Sequence, residues 1–224
     1  MIEAVNVSLS YRDGTLALKD VNLKVNPGEL VYIVGPSGSG KTSLLKLFLG
    51  IEYPTSGSLN VLNQPIKKGA SGKIRRMRRE IGPVFQEFKL IEGRTALENV
   101  MMGIRFLGIP LKHMKEEASN ALERVGLSNK TLSKVENLSW GQCQRVAIAR
   151  AIARKPKLIL ADEPTGNLDH ENALNILELL TSFKEKDTAV IITTHATHLI
   201  QNERNVTFIH VKEGNISIER RGEL

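Results

Sequence analysis

The octapeptide "GPSGSGKT", residues 35–42, has the form G-x-x-x-x-G-K-[ST] and stands between an apolar run and a helical pattern. The chemistry of that arrangement is anion binding. Glycines let backbone N–H groups turn inward on an anion. The helix that follows aims its N-terminus at the same charge. Lys41 reaches the β- and γ-phosphates of a nucleotide, and Thr42 offers a hydroxyl to Mg²⁺. A second apolar run, "LILADE", ends in Asp162 and Glu163. Asp162 falls at the carboxyl edge of the sheet, where ligands bind in open α/β folds, and can hold Mg²⁺ through water. Glu163, one residue on, points differently and can polarise an attacking water. His195 follows a third run, "AVIITT", at a place where a side chain meets a γ-phosphate; His198 reads as a surface residue of the next helix. A fourth stretch, "LSWGQCQR" (138–145), has the form of a phosphate-sensing Leu-Ser-Gly-Gly turn. Its first glycine position holds Trp140, the only tryptophan of the chain.

These residues need elements that hold them. "LVYIVG" (30–35) is β-branched and ends at glycine, which predicts a buried strand, and "GKTSLLKLFLG" (40–50) has helical spacing and a closing glycine. "KLILADE" (157–163) and "TAVIITTH" (188–195) predict two more buried strands, with helices over 143–154 and 170–185. Strands alternating with helices predict an α/β fold built on a mostly parallel sheet. The first 30 residues differ. "AVNVSLSY" and "VNLKV" alternate as strands with one wet face do, which predicts an N-terminal antiparallel β layer. Residues 88–140 are helical in tone and contain no convincing strand, so they are expected to form an inserted helical subdomain. The whole chain then forms a single domain, 1–87 with 141–224 as its core.

The 224 residues are long enough to bury a sizeable core, and 41% apolar with 25% charged is ordinary for a globular domain. No internal repeat or low-complexity tract is present. A single cysteine, Cys143, excludes an internal disulfide and fits a reducing compartment. The N-terminus lacks the pattern of a signal peptide, and no apolar run approaches the roughly 20 residues that span a bilayer. A soluble, cytoplasmic protein is expected, with any membrane role supplied by a partner. The net charge of +7 is uneven: "KKGASGKIRRMRR" (67–79) holds seven Lys or Arg and no acid. That run reads first as a solvated helix face. It has no interleaved aromatics, so a nucleic-acid groove is not expected.

Taken together, the phosphate loop, "LSWGQ", "ILADEPTGNLD" and "TTH" resemble the ATP-binding subunits of ABC transporters, in order and in spacing, over essentially the whole chain. The resemblance implies a P-loop NTPase core and ATP hydrolysis with Mg²⁺. It places ATP on Gly35, Pro36, Ser37, Gly38, Ser39, Gly40, Lys41, Thr42 and Ser43, with Tyr11 stacked on adenine. It makes Glu163 the catalytic base and gives His195 the γ-phosphate. Gln86, in "VFQEF", contacts Mg²⁺ and the attacking water; with Thr42 and Asp162 it completes the expected metal set. Ser139, Gly141 and Gln142 meet the γ-phosphate bound by a second copy of the chain, and Asp169 lies in the loop that crosses between the two. The implied assembly is a head-to-tail dimer glued by ATP, docked on an integral membrane partner at the inner face of the plasma membrane. Within the family, "FQEFKLIEGRTALENV" and "ADEPTGNLD" look most like the group of cell-division, lipoprotein-release and macrolide-export ATPases. DNA-repair ATPases with the same head need long coiled-coil arms, and the stretch between Thr42 and Leu138 has no sustained heptads.

Two departures from the family pattern stand out. Ala196 follows His195 where aspartate is usual, which implies a less tightly held histidine loop. Trp140 replaces glycine. Were φ positive there, tryptophan would cost on the order of 1 kcal/mol or more. Ser139 and Gly141 would have little use in a collapsed turn, so the expected backbone is ordinary, with the indole directed to solvent or to a partner subunit.

Overall fold

The computed structural model describes residues 1–222. In chain order the elements are β1 (Ile2–Ser10), β2 (Leu16–Val25), β3 (Leu30–Val34), α1 (Lys41–Phe48), β4 (Ser56–Val61), β5 (Gln64–Pro65) and α2 (Ser71–Met77). There follow β6 (Ile81–Val84), α3 (Ala96–Ile104), α4 (Leu111–Arg124), α5 (Trp140–Ile152), β7 (Leu158–Asp162) and α6 (His170–Thr181). The last strands are β8 (Ala189–Thr194), β9 (Val206–Lys212) and β10 (Asn215–Arg221). The chain divides into two compact units, one of Met1–Arg78 with Lys184 onward and one of Arg79–Phe183. No helix among the described residues is long and apolar enough to cross a membrane.

In the first unit the expected antiparallel layer forms, and it is larger than the N-terminal 30 residues: β2, β1, β4 and β5 pair in that order. β1 does not alternate throughout. Ile2 and Ala4 are buried, then Val7 and Leu9, while Val5 is 46% exposed. The parity changes because the register shifts between Ala4 and Val7, where Asn6 takes φ 50, so a bulge absorbs one residue. Beside this layer β3 pairs in parallel with both β8 and β9, and β10 closes the run antiparallel to β9. β3 and β8 are buried along their full length, as continuous apolar runs flanked on both sides should be. α2 carries Lys73, Arg75 and Arg76 of the basic run on a solvated face, as the charge pattern leads one to expect. Arg78 is the exception, since its guanidinium donates to the carbonyls of Leu49 (2.7 Å) and Gly50 (2.6 Å) just past α1.

In the second unit β6 and β7 pair in parallel. α3, α4 and α5 pack on one another around Val100, Ile104, Leu122, Val146 and Ile148, all buried. α3 starts at Thr95 because a capping box is present: the Thr95 hydroxyl accepts from the Glu98 N–H, and the Glu98 carboxylate accepts from the Thr95 N–H. Between residues 88 and 140 the only strand-like pairing among the described residues is an isolated bridge, Thr95 to Lys134, so that stretch is helical as expected. α5 begins three residues before the expected 143, and α6 ends at Thr181 rather than 185.

Candidate functional site

In the first unit the parallel register sets the level of the site. Val34 pairs with Thr194, so Gly35 and His195 are the next residues past one edge of the sheet. The chain then turns through the phosphate loop into α1, whose N-cap is Gly40 at φ 114, in the left-handed region. A Cβ there would lie 2.6 Å from the Ala17 carbonyl oxygen, so only glycine fits. Glycine brings no capping side chain, which leaves the mouth of the helix to an anion. Lys41 is buried and folds back over the loop: its ammonium donates to the carbonyls of Gly35 (2.8 Å) and Pro36 (3.1 Å). Pro36, Ser37, Gly38 and the first-turn Thr42 are exposed. Ser39 is buried, and its hydroxyl has no hydrogen-bond partner among the described residues. Tyr11, just past β1, shares a hydrogen bond of 2.9 Å with Ser43 on α1, so the structure brings two of the expected nucleotide contacts together.

His195 is exposed at the end of β8. In the loop that follows, the backbone and a threonine make the turn: Ala196 N–H donates to Thr194 Oγ1 (3.0 Å) and Thr197 N–H to the His195 carbonyl (3.0 Å). His198 is exposed in the short 3₁₀ turn that follows.

The second unit repeats the logic with different side chains. Val84 pairs with Ala161, so Gln86 and Glu163 each stand two residues past one edge of the β6–β7 pair. Glu163 takes φ 45, a region that non-glycine residues rarely occupy and that holds strain at functional sites. The turn after it closes by Gly166 N–H donating to the Glu163 carbonyl (3.1 Å). A Cβ on Gly166 would lie 3.7 Å from Gln86 Nε2 and 3.4 Å from the Glu163 carbonyl oxygen, so the Gln86 side chain lies over the Glu163 turn. Asp169 caps α6, accepting from Asn172 N–H (3.0 Å) and Nδ2 (2.6 Å); the Asn172 N–H is the leading reason its carboxyl lies below the ordinary range.

The "LSWGQ" turn is the N-terminus of α5. Ser139 is its N-cap, and a capping box links its hydroxyl to the Gln142 N–H (3.3 Å) and its N–H to Gln142 Oε1 (3.0 Å). The hydroxyl accepts in that bond, so its own proton stays available to an acceptor. Trp140 is the first helical residue, and its backbone is ordinary as expected. The indole does not follow the expectation. It is 47% exposed, yet it turns into its own unit: Nε1 donates to the Gly166 carbonyl (3.3 Å), and the ring meets Phe88 edge to face at 4.6 Å. Gly141 has no positive φ, and a Cβ on it would touch nothing closer than 3.9 Å, so the fold of this chain does not require glycine there.

Sequence reasoning passed over Phe88, Arg150 and Gly166. Phe88 and Lys89 both take left-handed backbone (φ 54 and 51), and the Arg150 guanidinium donates to the carbonyls of both. No motif marks these residues, because their contacts join segments 26 to 62 positions apart in sequence. For a divalent cation, the donors of Thr42, Gln86 and Asp162 are hard oxygens, the set that Mg²⁺ takes with phosphate and water.

A family model described as ABC transporter matches residues 18–166. The chain is 38% identical over 205 residues to the cell division ATP-binding protein FtsE of Mycobacterium tuberculosis, covering 91% of this chain and 89% of that one. It is 39% identical over 227 residues to an uncharacterised ABC transporter ATP-binding protein of Thermotoga maritima, covering 99% and 96%. Among solved structures it matches a dimeric, post-hydrolysis state of the ATP-binding cassette MJ0796 bound to ADP and Pi. That match has a TM-score of 0.89 and 35% identity, and covers all of both chains.

Proposed function

The chain belongs to the ABC transporter family and is an ATPase of that family, and from that premise we propose that it is the ATP-hydrolysing subunit of an FtsE-type membrane complex in cell division. Two copies close head to tail on two ATP molecules, and the closure is passed to an integral membrane partner of the FtsX kind at the inner face of the plasma membrane. Residues 1–87 and 141–224 form the core that binds the chain's own nucleotide, and 88–140, which end at Ser139 and Trp140 of the signature turn, form the helical subdomain that faces the partner.

The residues divide the work by their chemistry. The loop from Gly35 to Ser43 binds the phosphates through backbone N–H groups, with Lys41 exchanging its loop carbonyls for phosphate oxygens. A phosphate also offers an acceptor to Ser39. Tyr11, steadied by Ser43, stacks on adenine. Thr42, Gln86 and Asp162 would hold Mg²⁺, which would supply positive charge to offset that of the phosphates. Glu163 takes a proton from the attacking water, which Gln86 orients, and His195 holds the γ-phosphate. Ser139, Gly141 and Gln142 receive the γ-phosphate bound by the other copy, and Asp169 meets that copy across the dimer.

The observation that carries this reading is Glu163 at φ 45 under the Gln86 side chain. A glutamate with left-handed backbone, and an amide side chain lying against the glycine that closes its turn, is a poor structural choice and a good catalytic one. Phosphate release by wild type and Glu163→Gln, each with the membrane partner, tests it. Wild type is expected to turn over at least a hundredfold faster. Equal rates would leave an ATP-dependent clamp instead of a motor. A lipoprotein-release or macrolide-export ATPase would keep the same site and differ in the partner that co-purifies.

A further inference from the structure

We infer that Trp140 is a positioning residue: it fastens the signature turn to the Gln86 loop and to the Glu163 turn of the same subunit. The inference rests on the catalytic reading above. Trp140 itself sits at the start of α5, one side of its ring meets Phe88, and its N–H meets the Gly166 carbonyl. Phe88 is two residues past Gln86, and Gly166 closes the turn that begins at Glu163. One side chain thus touches the two segments that bear the water-handling groups and belongs to the third segment, which bears Ser139 and Gly141. A glycine at 140 would touch neither.

The backbone around these contacts needs such support. Phe88, Lys89 and Glu163 all lie in the left-handed region, and strained residues persist only where their surroundings over-determine them. Arg150 holds the carbonyls of Phe88 and Lys89 from below. Trp140 holds the Phe88 ring, which is 9% exposed. The aromatic edge-to-face contact has a preferred geometry, and the indole N–H adds a direction, so the indole ties the three segments to one another. When a second copy presents its γ-phosphate to Ser139, the displacement of the turn reaches Gln86 and Glu163 through the indole.

The test uses the full chain with Trp140→Phe, Trp140→Gly, Phe88→Leu and the double variant Trp140→Gly with Phe88→Leu. Without nucleotide, amide hydrogen exchange at 86–89 and 163–168 should rise at least tenfold in Trp140→Gly and leave α3 and α4 unchanged. In turnover, Trp140→Gly should lower kcat about tenfold with KM for ATP within threefold, because Trp140 touches none of the phosphate loop. Trp140→Phe keeps the ring and loses the donor, so it should fall between. The double variant should be no slower than the worse single one, since both remove one clasp. Unchanged exchange in Trp140→Gly, kcat and KM moving together, or multiplying penalties would each overturn the inference. If Trp140→Gly fails to fold, Trp140→Phe and Phe88→Leu carry the same comparison. The exchange measurement needs no hydrolysis, so a failure of the catalytic reading, seen as Glu163→Gln matching wild type, is separable from a failure of the clasp.

Discussion

Alanine at Gly40 and at Gly38 makes a matched pair that isolates how the phosphate loop is seated. Both glycines have positive φ, 114 and 76, so each alanine pays the cost of left-handed backbone, about 1–2 kcal/mol. At Gly38 nothing lies within 4 Å of the new methyl, and that cost is the whole effect. At Gly40 the methyl meets the Ala17 carbonyl oxygen at 2.6 Å and Leu18 Cδ2 at 3.2 Å. The oxygen belongs to the backbone of β2 and cannot swing away. Overpacking of this kind adds about 1–3 kcal/mol, for a total near 3.5 kcal/mol at Gly40 against about 1.5 kcal/mol at Gly38. In a chain of this size 1 kcal/mol moves Tm by about 2–4 °C. Calorimetry without nucleotide should then show Gly38→Ala lowered by about 3–6 °C and Gly40→Ala by about 7–14 °C. Gly40→Ala should also lose the Tm rise that Mg-ATP gives wild type, because relieving the clash moves the mouth of α1 and Lys41 with it. Equal losses in the two variants, or a milder Gly40→Ala, would refute the argument that β2 walls the loop.

Two further predictions follow from local geometry. Thr95→Ala removes the cap of α3 and should cost about 1 kcal/mol in urea unfolding at neutral pH. The bond from the backbone N–H of residue 95 to the Glu98 carboxylate survives in this variant, so wild type and variant should lose stability in parallel toward pH 3: that N–H, ahead of Arg94, holds the Glu98 carboxyl below its usual range, and a depressed acid contributes stability above its unfolded pKa and loses it as pH falls through the folded one. Gly141→Ala should leave Tm unchanged or slightly raised, since the site is helical and open and alanine is the better helix former. It should still lower ATP turnover at least tenfold if a γ-phosphate approaches that face, and unchanged turnover would sink that role.

What the sequence made legible was whatever is written contiguously. The phosphate loop, the acidic pair and His195 each follow an apolar run, and those runs became β3, β7 and β8 within a residue of expectation. The start of α5 was missed by three residues: apolar periodicity placed it at 143, and the signal that marks 140 is the capping-box spacing of Ser139 and Gln142. The bulge in β1 was not. "VNVSLS" promises Val5 and Val7 on one face, and only the φ of 50 at Asn6 turns Val5 out and Val7 in. A period-two reading has no way to count an absorbed residue. The surroundings of Trp140 were illegible for another reason: Phe88 and Gly166 reach it across 52 and 26 positions, and no local pattern encodes that meeting.

Trp140 and Gly141 sit side by side and are explained by opposite arguments. The fold has a use for the tryptophan and none for the glycine. Trp140 occupies ordinary helical backbone at no conformational cost and spends its ring on Phe88 and its N–H on Gly166. Gly141 has ordinary backbone and open space, so neither φ nor packing demands the missing side chain. A residue whose identity the chain itself does not require is explained by something outside the chain. For a glycine at a helix N-terminus, next to a serine whose hydroxyl proton is available, the fitting visitor is an anion that must come close to the backbone. The substitution at 140 therefore leaves the anion-facing position intact and changes what stands behind it. Its consequence belongs to the coupling between the turn and the Glu163 segment, and a rate measured at saturating ATP is where it should appear.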